Sequence, residues 1–133
     1  MGKIGIKVDY TDNFAACPVN EDIACVVTAN TFQKLQSEME YSLREHINWM
    51  KEDGDPSPEE FEGEWEFDWQ LTTRALLHYT EKYVTKATIA KATGINQQQL
   101  THYASGYRTP RPAMRKRIVD GIHSIAAILA SVS

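Results

Sequence analysis

Cysteine is scarce in this chain of 133 residues: only Cys17 and Cys25 are present, eight positions apart. Two thiols cannot build a disulfide framework, and no His or Cys stands at zinc-finger spacing from them. They read as reduced, half-buried thiols. Long apolar runs are missing too. Nothing approaches the roughly 18 consecutive apolar residues of a membrane span. The first residues, Met1-Gly2-Lys3-Ile4-Gly5-Ile6, alternate like a strand instead of forming an apolar leader, so a cytoplasmic location is the expectation. There is no Gly-rich phosphate loop and no nucleophile elbow around a Ser or Cys. The four histidines, His46, His78, His102 and His123, stand at no metal-ligand spacing.

Acidic residues are the last shortage, and it is confined to one half. Residues 1–67 carry five basic side chains against fifteen acidic ones, a balance of −10, while residues 68–133 carry nine against three, a balance of +6. Opposite signs in the two halves predict two modules with different partners. A basic half suits a polyanion that an acidic half would repel.

The hydropathy pattern divides at the same place. Residues 3–9 alternate, with Ile4, Ile6 and Val8 on one face of a strand. Asp12-Asn13 supplies a turn, residues 14–17 resume extended chain, and Pro18 ends it. Residues 19–22 read as a polar connection and residues 25–28 as a third strand. Asn30 or Thr31 then caps a helix of five turns with Phe32, Leu35, Met39, Leu43, Ile47 and Met50 on one stripe. Residues 53–64 read as a mobile acidic loop, and residues 64–69 alternate strictly as a fourth strand with Trp65, Phe67 and Trp69 on one face. The second half shows no strand pattern. Helices are predicted over 71–83, with Leu76, Leu77, Tyr79 and Tyr83 in the core, from Thr85 or Lys86 to Thr93, over 96–105, and after Pro110 and Pro112. The last has Ile118, Ile122, Ile125, Leu129 and Val132 on its buried stripe. The fold class expected is α+β: a β-β-β-α-β domain over 1–67 and an all-α domain over 68–133.

Residues 85–106 carry the chemistry. Ala90 is small where two helices would cross. Gly94 can take the positive φ that turns the chain, and Ile95 plugs the turn. Asn96 can cap the next helix, and Gln99 can complete a capping box. Leu100 and Tyr103 face inward, which leaves Gln97, Gln98, Thr101 and His102 outside near the helix start. Gln can pair bidentately with adenine, Thr can meet a thymine methyl, and His can meet a base edge or a phosphate. Lys86, Lys91, Arg108 and Arg111 flank that face as candidate phosphate clamps.

On Ile89-Ala90, Gly94-Ile95, Leu100, Tyr103, Ser105-Gly106 and Pro110, residues 84–112 resemble the helix-turn-helix of the Cro and lambda-repressor class. The predicted DNA-binding set is Lys86, Lys91, Asn96, Gln97, Gln98, Thr101, His102, Arg108 and Arg111. The first half, with Ile23-Ala24-Cys25 before a strand and Ala29-Asn30-Thr31 opening the helix, resembles HicB-like antitoxins. That family keeps Pro-Gly where this chain has Ile23-Ala24 and Gly-Asp where it has Ala29-Asn30. The resemblance implies a partial RNase-H-like first domain joined to the helix-turn-helix domain. It also implies an autorepressor that binds an inverted-repeat operator as a homodimer or higher homo-oligomer, and a small basic ribonuclease toxin as partner. The alternative is an interaction module that neutralises a small basic partner without binding DNA.

The RNase-H resemblance raises the question of catalysis. Such nucleases need carboxylates converging on a divalent metal. Asp9 and Asp12 lie near one strand end, with no further acid placed to join them. The carboxylates of residues 53–64 do not follow the calcium-loop order. The expectation is no catalytic residue, no metal site and no cofactor.

Overall fold

The first strand follows directly from its alternation. In the computed structural model, which describes residues 2–56 and 58–133, β1 (Gly2–Tyr10) buries Ile4, Ile6 and Val8 and exposes Lys3 and Lys7. The turn at Asp12-Asn13 folds β2 (Phe14–Pro18) back antiparallel, from Tyr10 opposite Phe14 to Ile6 opposite Pro18. Next comes β3, a strand of three residues, Val27–Ala29, antiparallel to β2. It lies later than the predicted 25–28 because Val26 turns outward, 77% exposed, and pairing begins only at Val27 opposite Ala16. Ile23, just after the polar connection of residues 19–22, is buried.

Thr31 caps α1 (Phe32–Glu52), its Oγ1 accepting from the Lys34 amide at 3.1 Å. The stripe Phe32, Leu35, Met39, Leu43 and Ile47 is buried, each large side chain contributing about 1.5–3 kcal/mol by leaving water. The helix lies over β2 and β3. Within the acidic stretch that follows, a short 3-10 turn at Glu59–Phe61 buries Phe61 against the Trp65 ring, centroids 5.5 Å apart. The last strand, β4 (Trp65–Leu71), runs parallel to β1 and completes a sheet of order β3-β2-β1-β4.

The chain divides into two units, 1–72 and 73–133. The division falls after Thr72, not after Phe67. The ladder to β1 continues through Lys7 opposite Gln70 and Val8 opposite Leu71, and the Thr72 amide still donates to the Val8 carbonyl at 2.9 Å. Leu71, predicted helical, is therefore strand. The chain is α+β, with a mixed four-stranded sheet and five helices among the described residues.

The second unit comprises α2 (Thr73–Thr80), α3 (Lys86–Thr93), α4 (Gln97–Ser105) and α5 (Pro112–Ala130). Leu77, Ile89, Ile95, Leu100, Tyr103, Ala104 and Ile118 form its core, with Ala90, Met114, Ile122 and Ile125 packed around them. α2 stops before the predicted residue 83. The Tyr83 and Val84 amides both donate to the Thr80 carbonyl at 2.9 Å, and Tyr83 points outward, 63% exposed, with Tyr79 half-buried beside it. Two expected core positions of α5 also fail: Leu129 and Val132 are exposed, and Val132 lies beyond the helix end. Close to its middle the helix approaches α3 without clearance. A Cβ on Gly121 would run into the Thr93 side chain, so only glycine lets the two backbones come this near.

Candidate nucleic-acid interface

The turn between α3 and α4 is built from local preferences. Thr85 caps α3 by accepting from the Thr88 amide at 3.1 Å. Gly94 closes it at φ 75°, in the left-handed region, and donates its N–H to the Ala90 carbonyl at 2.8 Å. Two further groups hold this corner. The Thr93 hydroxyl donates to the Ile89 carbonyl at 2.7 Å and accepts from the Ile95 amide at 3.2 Å. The Arg117 guanidinium donates to the Thr93 carbonyl at 2.6 Å, a cation at the negative end of the α3 dipole. Ile95 is buried, as a turn residue that plugs the core must be.

Asn96 caps α4, its Oδ1 accepting from the Gln98 amide at 2.8 Å. The capping box expected from Gln99 does not form. Its Nε2 donates instead to the Tyr103 hydroxyl at 2.6 Å, giving that buried ring's polar tip a partner. Leu100 and Tyr103 are buried as predicted. On the other side of the helix Gln97, Gln98 and Thr101 are exposed. The Thr101 hydroxyl donates to the Gln97 carbonyl at 3.1 Å. His102 is half-buried, its ring 5.0 Å from that of Tyr107.

Gly106, at φ 81°, ends α4 and delivers Tyr107 and Arg108 beside it. Arg108 lies 5.9 Å from the Tyr107 ring centroid. Asn96, Gln98, Gln99, His102 and Arg108 line one shallow cleft of about 330 Å³. Arg108 and Arg111 line a second of about 380 Å³, with Tyr103, Thr109 and Met114. Of the nine predicted residues, Asn96, Gln98, His102, Arg108 and Arg111 thus meet along two clefts that share Arg108, and Gln97 and Thr101 stand exposed on the same helix. Lys86 and Lys91 belong to α3 and line neither cleft. Lys86 is half-buried with its Nζ 3.6 Å from Glu81 Oε1, so part of its charge is engaged within the unit. Lys91 is exposed on the last turn of α3.

Electrostatics around α4 are one-sided. Residues 82–119 contain no Asp or Glu, and unit 73–133 holds nine cationic side chains against Glu81 and Asp120. Each of those two carboxylates is met by a lysine, Asp120 by Lys116 at 2.7 Å. Tyr107 was missed by pattern reading. Its signal was present, an aromatic directly after a helix-ending glycine and before an arginine, and it is 73% exposed.

Outside this surface, among the described residues, no group of three His, Cys, Asp or Glu side chains is placed to hold a metal ion, and no helix is long and apolar enough to cross a membrane. Comparison with protein-family models, with curated proteins and with solved structures returned no match.

Proposed function

We propose that residues 73–133 bind double-stranded DNA with sequence preference, α4 entering the major groove by its N-terminal end. The observation that supports this most is the split character of α4. Leu100 and Tyr103 hold one side in the core, while Gln97, Gln98 and Thr101 stand exposed on the other, in a stretch that carries no acid. Gln97 and Gln98 are the base-reading groups, able to donate and accept together at an adenine edge. Thr101 offers its methyl to thymine. Asn96 and the first amides of α4 lie where a phosphate meets a helix start. Arg108 and Arg111, with Lys91 and Lys86, contact the backbone, and His102 and Tyr107 border the cleft between.

The regulator is an autorepressor of the antitoxin type. Two copies bind an inverted repeat, with their α4 helices one helical turn apart. The acidic unit 1–72, sixteen carboxylates against five cations, receives a small basic partner. The same charge balance favours a second reading, in which the chain holds a basic partner and leaves DNA alone. Catalysis has no part in either.

The test is a fluorescence-anisotropy titration of the full chain against the DNA upstream of its own reading frame and against a shuffled duplex. The expected outcome is a preference of at least about tenfold, with affinity falling steeply as salt rises. Equal binding to both duplexes overturns the sequence preference, and binding to neither overturns the DNA reading and leaves the second.

A further inference from the structure

β4 has a neighbour on one side only. In the order β3-β2-β1-β4 it is an edge strand, and at seven residues it is more than twice the length of β3 at the opposite edge. The parallel ladder fixes which main-chain groups look outward. The Gly2 amide donates to the Glu64 carbonyl and the Thr72 amide to the Val8 carbonyl, so even-numbered positions of this segment turn toward β1. The amides and carbonyls of Trp65, Phe67 and Trp69 therefore line the outer edge, with no backbone partner among the described residues.

Its two faces differ in chemistry. Phe61, Trp65, Phe67 and Trp69 form a continuous row of rings, with centroids 5.5, 5.1 and 5.1 Å apart. α1 touches the two ends of the β4 row, through Phe32 at 5.6 Å from Trp69 and Arg44 at 4.8 Å from the Trp65 centroid, and the three rings stay half-buried. The other face exposes Glu66 and Asp68, with Glu64 just before them. Lys3 stands beside Glu66, whereas Asp68 stands beside Gly5 and meets no cation there, accepting instead from Gln70 Nε2 at 3.1 Å.

Natural sheets blunt long edges, and the devices here select rather than block. The antiparallel register that overlaps all three aromatics of two copies would set Glu66 against Asp68 twice, and like charges directly opposite are unfavourable. A strand carrying cations on one face and apolar side chains on the other would meet carboxylates and rings in turn.

We infer that the outer edge of β4 docks an extended segment of a basic partner protein, one that alternates Lys or Arg with apolar residues, as an added strand. This rests on the reading that residues 1–72 receive a basic partner, and is independent of DNA binding. Ladder bonds at Trp65, Phe67 and Trp69 supply affinity, and the alternation supplies selectivity.

The probe is an acetylated heptapeptide alternating lysine and valine, added to the full 15N-labelled chain. Four comparison peptides accompany it: the same composition in two blocks, the same alternation with glutamate for lysine, and the first peptide N-methylated on its odd-numbered or on its even-numbered amides. The expected result is saturable binding of the alternating peptide with hydrogen exchange slowed about tenfold or more at the Trp65, Phe67 and Trp69 amides. One of the two N-methyl registers should abolish it. Glu66→Lys with Asp68→Lys should weaken it at least about fivefold, both side chains being exposed and outside the core. Equal binding of the block peptide, or protection confined to other amides, overturns the edge proposal while leaving a basic-partner reading intact. Failure of every cationic peptide to bind overturns both. Protection of these three amides that grows with chain concentration in the absence of peptide makes a second copy the occupant, and overturns the proposal.

Discussion

Gly2 meets Trp65 across most of unit 1–72, and the fourth strand joins the sheet only when that meeting is made. In residues 73–133 each element of the turn is closed by its own neighbours instead: Thr85 and Gly94 bound α3, and Asn96 and Gly106 bound α4. One half is assembled by distant pairing, carries an excess of carboxylates and has an open strand edge. The other is assembled by local caps, carries an excess of cations and presents one helix end. The difference shows why a single chain can offer two surfaces of opposite sign. The groups that shape each surface belong to that unit's own framework, and each can be altered by itself.

The largest test of that separation is Leu100→Ala. It empties a fully buried position of the helical core and should cost about 2–5 kcal/mol. All three tryptophans, Trp49, Trp65 and Trp69, lie in unit 1–72. Thermal unfolding followed by tryptophan fluorescence should therefore stay in place while the helical signal by circular dichroism melts earlier. A fluorescence transition that moves by the same amount would break the comparison.

What local reasoning can reach is clearest at this same turn. Gly94, Ile95, Asn96, Leu100 and Tyr103 owe their roles to residues within a few positions, so spacing alone located them. Where it went astray, a distant partner decided. Leu71 has the apolar character of a helix start, yet Val8 holds it in the sheet. Leu129 and Val132 keep the helical spacing of Ile118 and Ile122, but α3, against which α5 packs, is only eight residues long. Gln99 suits a capping box, and the buried Tyr103 hydroxyl claimed it. The candidate DNA face was legible because its residues fall within one short stretch, 86–111, around a single turn. The edge of β4 was not, because openness belongs to a sheet order that no short window contains.

Second in size is the effect on DNA selection. Gln97→Ala with Gln98→Ala should narrow the preference for the upstream duplex over the shuffled one by about 1–3 kcal/mol, read as the ratio of the two affinities. Arg108→Ala should instead lower both affinities alike and reduce the salt slope by about one. A change of ratio from Arg108 and none from the glutamines would reverse the assigned roles. Smaller still is a matched pair of caps. Thr31→Ala and Asn96→Ala each remove one side-chain acceptor at a helix start, worth about 1 kcal/mol. Only Asn96→Ala should weaken DNA binding, and only Thr31→Ala should shift the tryptophan transition.

The smallest effect concerns Cys25. Its Sγ is half-buried, 3.8 Å from Met39 Sδ, and burial pushes the thiol above its ordinary range. Less thiolate is present at a given pH. Alkylation of the folded chain near pH 8 should therefore run slower at Cys25 than in the urea-unfolded chain, with the gap narrowing as the pH rises. Equal rates in both states would show that this corner of the sheet opens readily.

Because β1 sits between β2 and β4, the earliest of these four strands is flanked on both sides only after the latest has been made. Its hairpin with β2 can close early, but one border of an Ile- and Val-rich ribbon stays bare until residue 71 has been made. Such a ribbon is a template for wrong pairing with other nascent chains. The carboxylates of residues 53–64 emerge just ahead of β4 and lend the waiting chain a net negative charge that keeps its copies apart. Replacing its exposed carboxylates by the matching amides, with Phe61 left in place against Trp65, should lower the yield of chains that reach the finished sheet.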